Sequence, residues 1–519
     1  MTAAALLPFF IGIPFVSAGL LSIFGGRPKL HVVLLMANLV ASMVAGMALV
    51  AHFTHTGPMA HGVALWPFGI AIPFAADMFA ALMLSVTGLL SVTCAVFALY
   101  SGYATSQYFA PLLLVLVAGV NGALLTADLF NLFVFVEVML LPSYGLFVLA
   151  SRAKAPFRQI AGARLYVTIN LLTSTIFLGG VGFVYGTAGT VNIAQLAGAA
   201  QQDSSVAIAT AVVLFALSIK ASVVPVHGWL ARAYPATSPA ITALFSGLHT
   251  KVAIYAIYRI YAVIFDGDAR FLWVGVLIFS LTMIIGVLGA VGETTTRSIL
   301  AFHMVSQIGY ILLGVALFTE FGLTAGIFYL LHHMIVKASL FLSTGAIEVK
   351  YGTGTLGRVP EILKREPVIA VAFFVAALSL AGLPPFSGFV AKVSLIMASI
   401  EAREVAAAVV MIVVSLFTVL SMIKIWSGVF WGGRTAKDQP EAEPGLPAGT
   451  NVATLTREQT EQLAQPTSRI GVGLAAPAVL LAAVTLSLGL GAEMLMTLSQ
   501  TAAQGLLDPS LYVNAVMNS

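Results

Sequence analysis

About fourteen times along its length this chain runs for roughly twenty residues with almost no charge, the length an α-helix needs to cross the hydrocarbon core of a bilayer. The runs lie near 4–24, 30–53, 77–100, 108–126, 129–150, 163–186, 206–231, 240–264, 271–291, 298–319, 322–348, 367–399, 405–431 and 470–497. Inside the core no water is available to backbone N–H and C=O groups, so each segment must satisfy its own. Repeated runs of this kind therefore predict an all-α polytopic membrane protein. Composition leaves no soluble alternative, because 60% of the 519 residues are hydrophobic and 8% are charged, where a soluble domain carries roughly a quarter. The same apolar content, with 33 Phe, excludes an intrinsically disordered chain.

Two further counts narrow the chemistry. Cys94 is the one cysteine, so disulfides within the chain, thiolate zinc sites and cysteine-held iron–sulfur clusters are excluded, and no cofactor is expected. A net charge of +4 comes from loop lysines and arginines and implies no nucleic-acid partner. The first run has no Lys or Arg before it, unlike a signal peptide, and is expected to be a retained helix.

Basic residues set the orientation. Sixteen of the 24 Lys and Arg, from Arg27 and Lys29 to Arg457 and Arg469, fall in one set of alternate loops, against Arg259, Arg270 and Arg403 on the other side. The richer side is expected in the cytoplasm and both termini outside. The stretch 434–468, rich in Pro, Gly, Glu and Gln, reads as a cytoplasmic linker, with 470–519 as the last helix and an external tail.

The other five basic residues, Lys220, Lys251, Lys337, Lys392 and Lys424, lie inside predicted spans, as does Glu137. A charge at that depth costs a few kcal/mol by insertion scales, so it usually faces protein or water and marks an ion or proton path. Lys424 is near a helix end beside Trp426 and Trp431, where snorkelling to the headgroups accounts for it. Lys251, in SGLHTKVAIYAIYRI, is too central for that. One acid cannot neutralise four central lysines, so some are expected to give up their proton, as a relay requires.

Prolines sharpen two of these positions. Pro225 follows Lys220, and Pro384-Pro385 precede Lys392, so the seventh and twelfth runs are expected to break there and admit water, with Ser222 and Ser387 close by. His333 and Lys337 are four apart on one helix face, His332 points elsewhere, and either histidine, like His249, is a candidate relay member. His227 and His303 read as residues of helix ends. No metal site is expected at His332-His333, because adjacent helical side chains diverge by about 100°. No loop gathers the carboxylates, histidines and arginines of a membrane enzyme.

The runs DLFNLFVFVEVMLLPSY, LSIKASVVPVHGWL, LHTKVAIYAIYR, FYLLHHMIVKASLFL and LSLAGLPPFSGFVAKVSLI resemble the antiporter-like subunits shared by Mrp-type cation/proton antiporters and respiratory complex I. The resemblance spans the third to the thirteenth run. It implies two inverted five-helix repeats, about 108–264 and 271–431, each with one broken helix, after three N-terminal helices in 1–107. It also implies a proton path through Glu137, Lys220, Lys251, His332 or His333, Lys337 and Lys392. Within the family these runs look most like the D-type subunits of Mrp antiporters. One complex I subunit has glutamate where this chain has Lys392, and the chain ends soon after its fourteenth run, without room for the lateral helix of the largest complex I subunit.

The function expected is therefore proton translocation within a multi-subunit Na⁺/H⁺ antiporter of the bacterial cell membrane, with other subunits, protons, lipid and possibly Na⁺ as partners. Acids in the spans are few, and Na⁺ favours several oxygen ligands, so the cation is expected to cross elsewhere. A proton-pumping subunit of complex I or another redox-driven complex is the alternative, and a scaffold whose buried charges only hold partners together is a third. Each has its discriminator: redox subunits that co-purify, or tolerance of neutral substitution at Glu137.

Overall fold

A computed structural model describes residues 3–63, 71–149, 156–358, 362–431 and 469–519. The expected linker 434–468 lies outside the described residues, as do Arg152, Lys154, Arg434, Lys437 and Arg457. In chain order the helices are α1 (Phe9–Ile23), α2 (Pro28–Phe53), α3 (Met78–Ser101), α4 (Phe109–Leu125), α5 (Leu129–Leu149), α6 (Pro156–Ala188), α7 (Ala199–Gln202), α8 (Ser204–Ala221), α9 (Gly228–Ala233) and α10 (Pro239–Ile264). They continue with α11 (Leu272–Gly292), α12 (Thr296–Leu317), α13 (Glu320–Tyr351), α14 (Ile362–Arg365), α15 (Pro367–Ala381), α16 (Ser387–Glu401), α17 (Val405–Ile425), α18 (Val472–Leu490), α19 (Ala492–Leu507) and α20 (Ser510–Met517).

Among the described residues twelve helices are long and apolar enough to cross a membrane, and the shorter apolar α4 and α15 fall at the fourth and twelfth runs. Their ends follow local chemistry. The side chains of Asp77, Ser238, Thr295 and Thr319 each accept a backbone N–H in the first turn of α3, α10, α12 and α13, and Pro239 occupies the first position of α10, where no N–H is needed. Between α2 and α3 the chain forms a short hairpin, β1 (Met59–Gly62) against β2 (Pro73–Ala76), which has no counterpart in the periodicity of the sequence. After α18 the expected tail forms two further helices, and α20 lays Tyr512 over the Arg259 guanidinium, 4.4 Å from carbon to ring centre.

Burial separates the helices into an inner and an outer set. In α10 and α13 the whole apolar window is buried, against 28% in α2 and α11. The outer helices show large apolar side chains such as Ile208, Phe215, Trp273, Leu277, Leu416 and Leu420, the surface a lipid environment requires. The inner helices carry His249, Lys251, His332, His333 and Lys337, so most of the interior ionisable groups are held by protein on every side.

The two runs expected to break, at Pro225 and at Pro384-Pro385, are both interrupted there, whereas α1, α5 and α18 continue through Pro14, Pro142 and Pro477. Helix α8 ends at Ala221, Ser222 takes a left-handed conformation with φ of 68°, and the chain resumes helix at Gly228. Helix α15 ends at Ala381, Gly382 has φ of 85°, and α16 begins at Ser387. Glycine at 382 takes this left-handed conformation without the steric penalty a Cβ would bring. At 388 a Cβ would sit 1.7 Å from the Ser379 carbonyl oxygen, so only glycine lets α16 close on α15.

Candidate proton-transfer site

At the first break three helices meet around Lys220. Glu137 projects from α5, half-buried, and Ser174 from α6, buried. The Ser174 hydroxyl donates to Glu137 Oε1 and accepts from Lys220 Nζ at 3.2 Å. No direct ion pair joins Glu137 to Lys220, unlike Arg259–Asp77, Arg270–Asp268 and Arg297–Glu348, which are in direct contact. Lys220 occupies the last turn of α8, where unpaired carbonyls favour a cation.

The break itself is closed by side chains. Ser222 Oγ donates to the His227 carbonyl at 2.9 Å, Trp229 Nε1 to the Ile219 carbonyl at 3.0 Å, and Thr282 Oγ1 accepts the Val224 N–H at 3.2 Å. On its outer flank, Val223 to Val226 line an apolar groove between α8 and α11 with a volume of about 650 Å³. Ser222, expected to meet water, is fully buried in this conformation.

From Lys220 the interior charges continue through α10 into α13. His249, within electrostatic reach of Lys220, shares a 2.9 Å hydrogen bond between Nδ1 and the Tyr166 hydroxyl, which also lies 3.1 Å from Ser143 Oγ. Lys251 is completely buried and donates to Thr250 Oγ1 at 3.0 Å. Lys251 and Lys337 act electrostatically on each other and on His333. Lys337 Nζ donates to the Leu300 carbonyl at 2.9 Å.

The second break repeats the theme with different parts. Lys392, in α16, reaches back across the break to the Ala381 carbonyl of α15 at 3.0 Å and lies 5.5 Å above the Tyr310 ring. His332 Nδ1 is 2.8 Å from Ser387 Oγ, itself 3.3 Å from Ser379 Oγ. The adjacent histidines therefore divide as helical geometry requires: His332 meets the break, while His333 faces Lys251 and Lys337.

All four central lysines thus rest on the oxygens of Ser174, Thr250, Leu300 and Ala381, with no carboxylate in ion-pair contact among the described residues. A permanently charged ammonium held only by neutral oxygens is costly to bury, whereas an amine that takes and releases a proton is not. The arrangement suits proton transfer. Among the described residues no group of three His, Cys, Asp or Glu side chains is placed to hold a metal ion.

Three residues differ from the sequence reading. His303, expected as a residue of a helix end, is completely buried within electrostatic reach of Lys337 and Lys392, and neither ring nitrogen has a protein hydrogen-bond partner. It lies on α12 with Gln307, whose Oε1 accepts the Tyr329 hydroxyl, and the spacing His303, Gln307, Tyr310 is the signal that marks this polar face. Lys424, expected to snorkel, instead donates to the Val291 and Glu293 carbonyls at 2.8 and 2.6 Å, neutralising the end of α11. Ser174 is hidden in the sequence among the many hydroxyls of apolar helices, although Tyr166, Asn170 and Ser174 recur every four residues along one face of α6.

Known proteins share this architecture. The family described as NADH:quinone oxidoreductase/Mrp antiporter, TM, matches residues 126–418, which contain Glu137, Ser174 and the four central lysines. The D subunit of the Na(+)/H(+) antiporter of Alkalihalophilus pseudofirmus is 36% identical over 525 residues, covering 100% of both chains. A chain in the structure of the Mrp complex from Dietzia sp. DQ12-45-1b is 57% identical, with full coverage of both chains and a TM-score of 0.93. The membrane-bound sulfane sulfur reductase, an archaeal respiratory membrane complex, contains a chain with a TM-score of 0.85 over 99% of this one and 100% of its own length; at 23% identity it shares the fold.

Proposed function

We propose a function from one premise: the chain belongs to the NADH:quinone oxidoreductase/Mrp antiporter transmembrane family, alongside the D-type subunits of Na⁺/H⁺ antiporters. It is the proton-translocating subunit of a multi-subunit Na⁺/H⁺ antiporter. One observation carries the proton assignment: four buried lysines held by neutral oxygens, spaced through the protein interior with histidines between them. The path begins at Glu137 and Lys220, continues through His249, Lys251, His333 and Lys337, and ends at Lys392 with His332.

Each lysine in turn holds the proton while its neighbour is neutral, because two adjacent ammonium groups in the interior repel strongly at low dielectric. A proton arriving at Lys337 therefore favours release from Lys251, and transfer gains direction from the charge at either end. His303, within electrostatic reach of both Lys337 and Lys392, is a further acceptor. The breaks are where water meets the path during the cycle, at Ser222 on one side and Ser387 on the other. The two halves 108–264 and 271–431 each supply one break, and the basic loops and 434–468 face the cytoplasm of a bacterial cell, with both termini outside.

The test is antiport in vesicles carrying the whole complex. Glu137→Ala and Lys220→Ala should each abolish proton-coupled Na⁺ transport while the complex still assembles. Wild-type transport in either variant would overturn the path's starting point.

A further inference from the structure

Many hydroxyls on the helices of this protein are turned back on their own helix. The flanking Thr173 and Thr175 of α6 donate to the Ile169 and Leu171 carbonyls at 2.6 and 3.1 Å, and Ser85, Ser218, Thr282 and Thr324 do the same on other helices. This intrahelical bond is the default where no water is available. Ser174 departs from it. Its hydroxyl leaves α6 to donate to Glu137 and to accept from Lys220, so its one hydrogen and a lone pair are both directed at the two charged groups.

We infer that Ser174 is the proton bridge between Lys220 and Glu137, passing a proton through its hydroxyl rather than merely filling the space between them. This deepens the proton-path reading and rests on it. The geometry fixes the direction of the hydrogens. Lys220 Nζ gives a proton to Ser174 Oγ as Ser174 Oγ–H gives its own to Glu137 Oε1. One N–H and one O–H bond break and two O–H bonds form, leaving a neutral amine, a neutral carboxylic acid and the hydroxyl restored. The reverse transfer regenerates the two charges. Because acid and amine have no direct ion-pair contact, they exchange a proton here through an intervening group, and Ser174 is the one the structure places between them.

The same device has a plainer alternative, in which Ser174 only spaces α5 from α8. Threonine and valine separate the two, since they share a shape and differ in the hydroxyl. In vesicles carrying the complete antiporter, Ser174→Thr should keep at least half of wild-type antiport. Ser174→Val should fall roughly tenfold or more, the smallest effect expected of a lost proton-transfer group. Its pH–activity profile should also move, because the charged pair loses a shared partner. Equal activity of Thr and Val variants, whether high or low, would overturn the inference. So would a slow Val variant with an unmoved pH profile, or assembly with Thr but not with Val, since each makes the residue a spacer. Glu137→Gln measured in the same vesicles keeps the two claims apart. If it transports normally the path itself is wrong, whereas if it is inactive while Ser174→Val is normal, only the bridge is wrong.

Discussion

Gly382 offers the sharpest test of how Lys392 is held. Its φ of 85° is left-handed, and alanine there costs about 1–2 kcal/mol. The added Cβ would also lie 2.6 Å from Lys392 Cδ and 3.3 Å from its Cε. Carbon atoms prefer about 3.5–4.0 Å, so the side chain must retreat by roughly 1 Å. The bond from Lys392 Nζ to the Ala381 carbonyl, now 3.0 Å, then stretches past useful length. A hydrogen bond from a charged donor is worth about 1.5–3 kcal/mol, which corresponds to roughly 10- to 150-fold in the population of the correctly placed lysine. Gly382→Ala should therefore slow antiport in vesicles by at least tenfold. The control is Gly189→Ala, with a similar φ of 71° but open space around its Cβ. Equal transport by the two variants would show that the position of Lys392 does not matter to the path.

Two further substitutions separate stability from transport. Asp77→Asn leaves Arg259 buried with its Nε and Nη1 already lacking partners, and removing one member of a buried pair costs about 3–5 kcal/mol, to be read as a lower unfolding midpoint of the purified complex. Lys424→Met removes the donor from the Val291 and Glu293 carbonyls and should cost about 1 kcal/mol in the same assay, with antiport unchanged because Lys424 lies off the path.

What can be read from the sequence is whatever is local to it. Glu137, Lys220, Lys251, Lys337 and Lys392 announce themselves because a charge in an apolar run has no cheap explanation, and both helix breaks are written in Pro225 and Pro384-Pro385. Partners across the fold leave no such mark. Ser174 meets Glu137 from 37 residues away and Lys220 from 46, and within its own run only the four-residue spacing from Tyr166 and Asn170 sets it apart from Thr173 and Thr175. His303 escapes the sequence for a related reason: distance from a helix end measures depth along one helix, whereas burial depends on what packs beside it. Lys424 shows the converse, since its neighbours in sequence suggest the membrane surface and its neighbours in space are the terminal carbonyls of α11. The four-residue strands of the hairpin are too short to carry a pattern that outweighs the apolar runs on either side.

The claim on which the rest depends is that the interior lysines carry protons rather than supply fixed charge. Lys392→Arg puts it to the test, because guanidinium keeps the charge and stays protonated at any working pH. The measurement is Na⁺-driven proton movement in vesicles holding the assembled variant complex, beside the wild type. A charge that cannot be neutralised at this depth costs about 2.5–3.5 kcal/mol, so transport should fall by roughly two orders of magnitude. Transport at the wild-type rate would make Lys392 an electrostatic fixture and contradict a proton path that ends there.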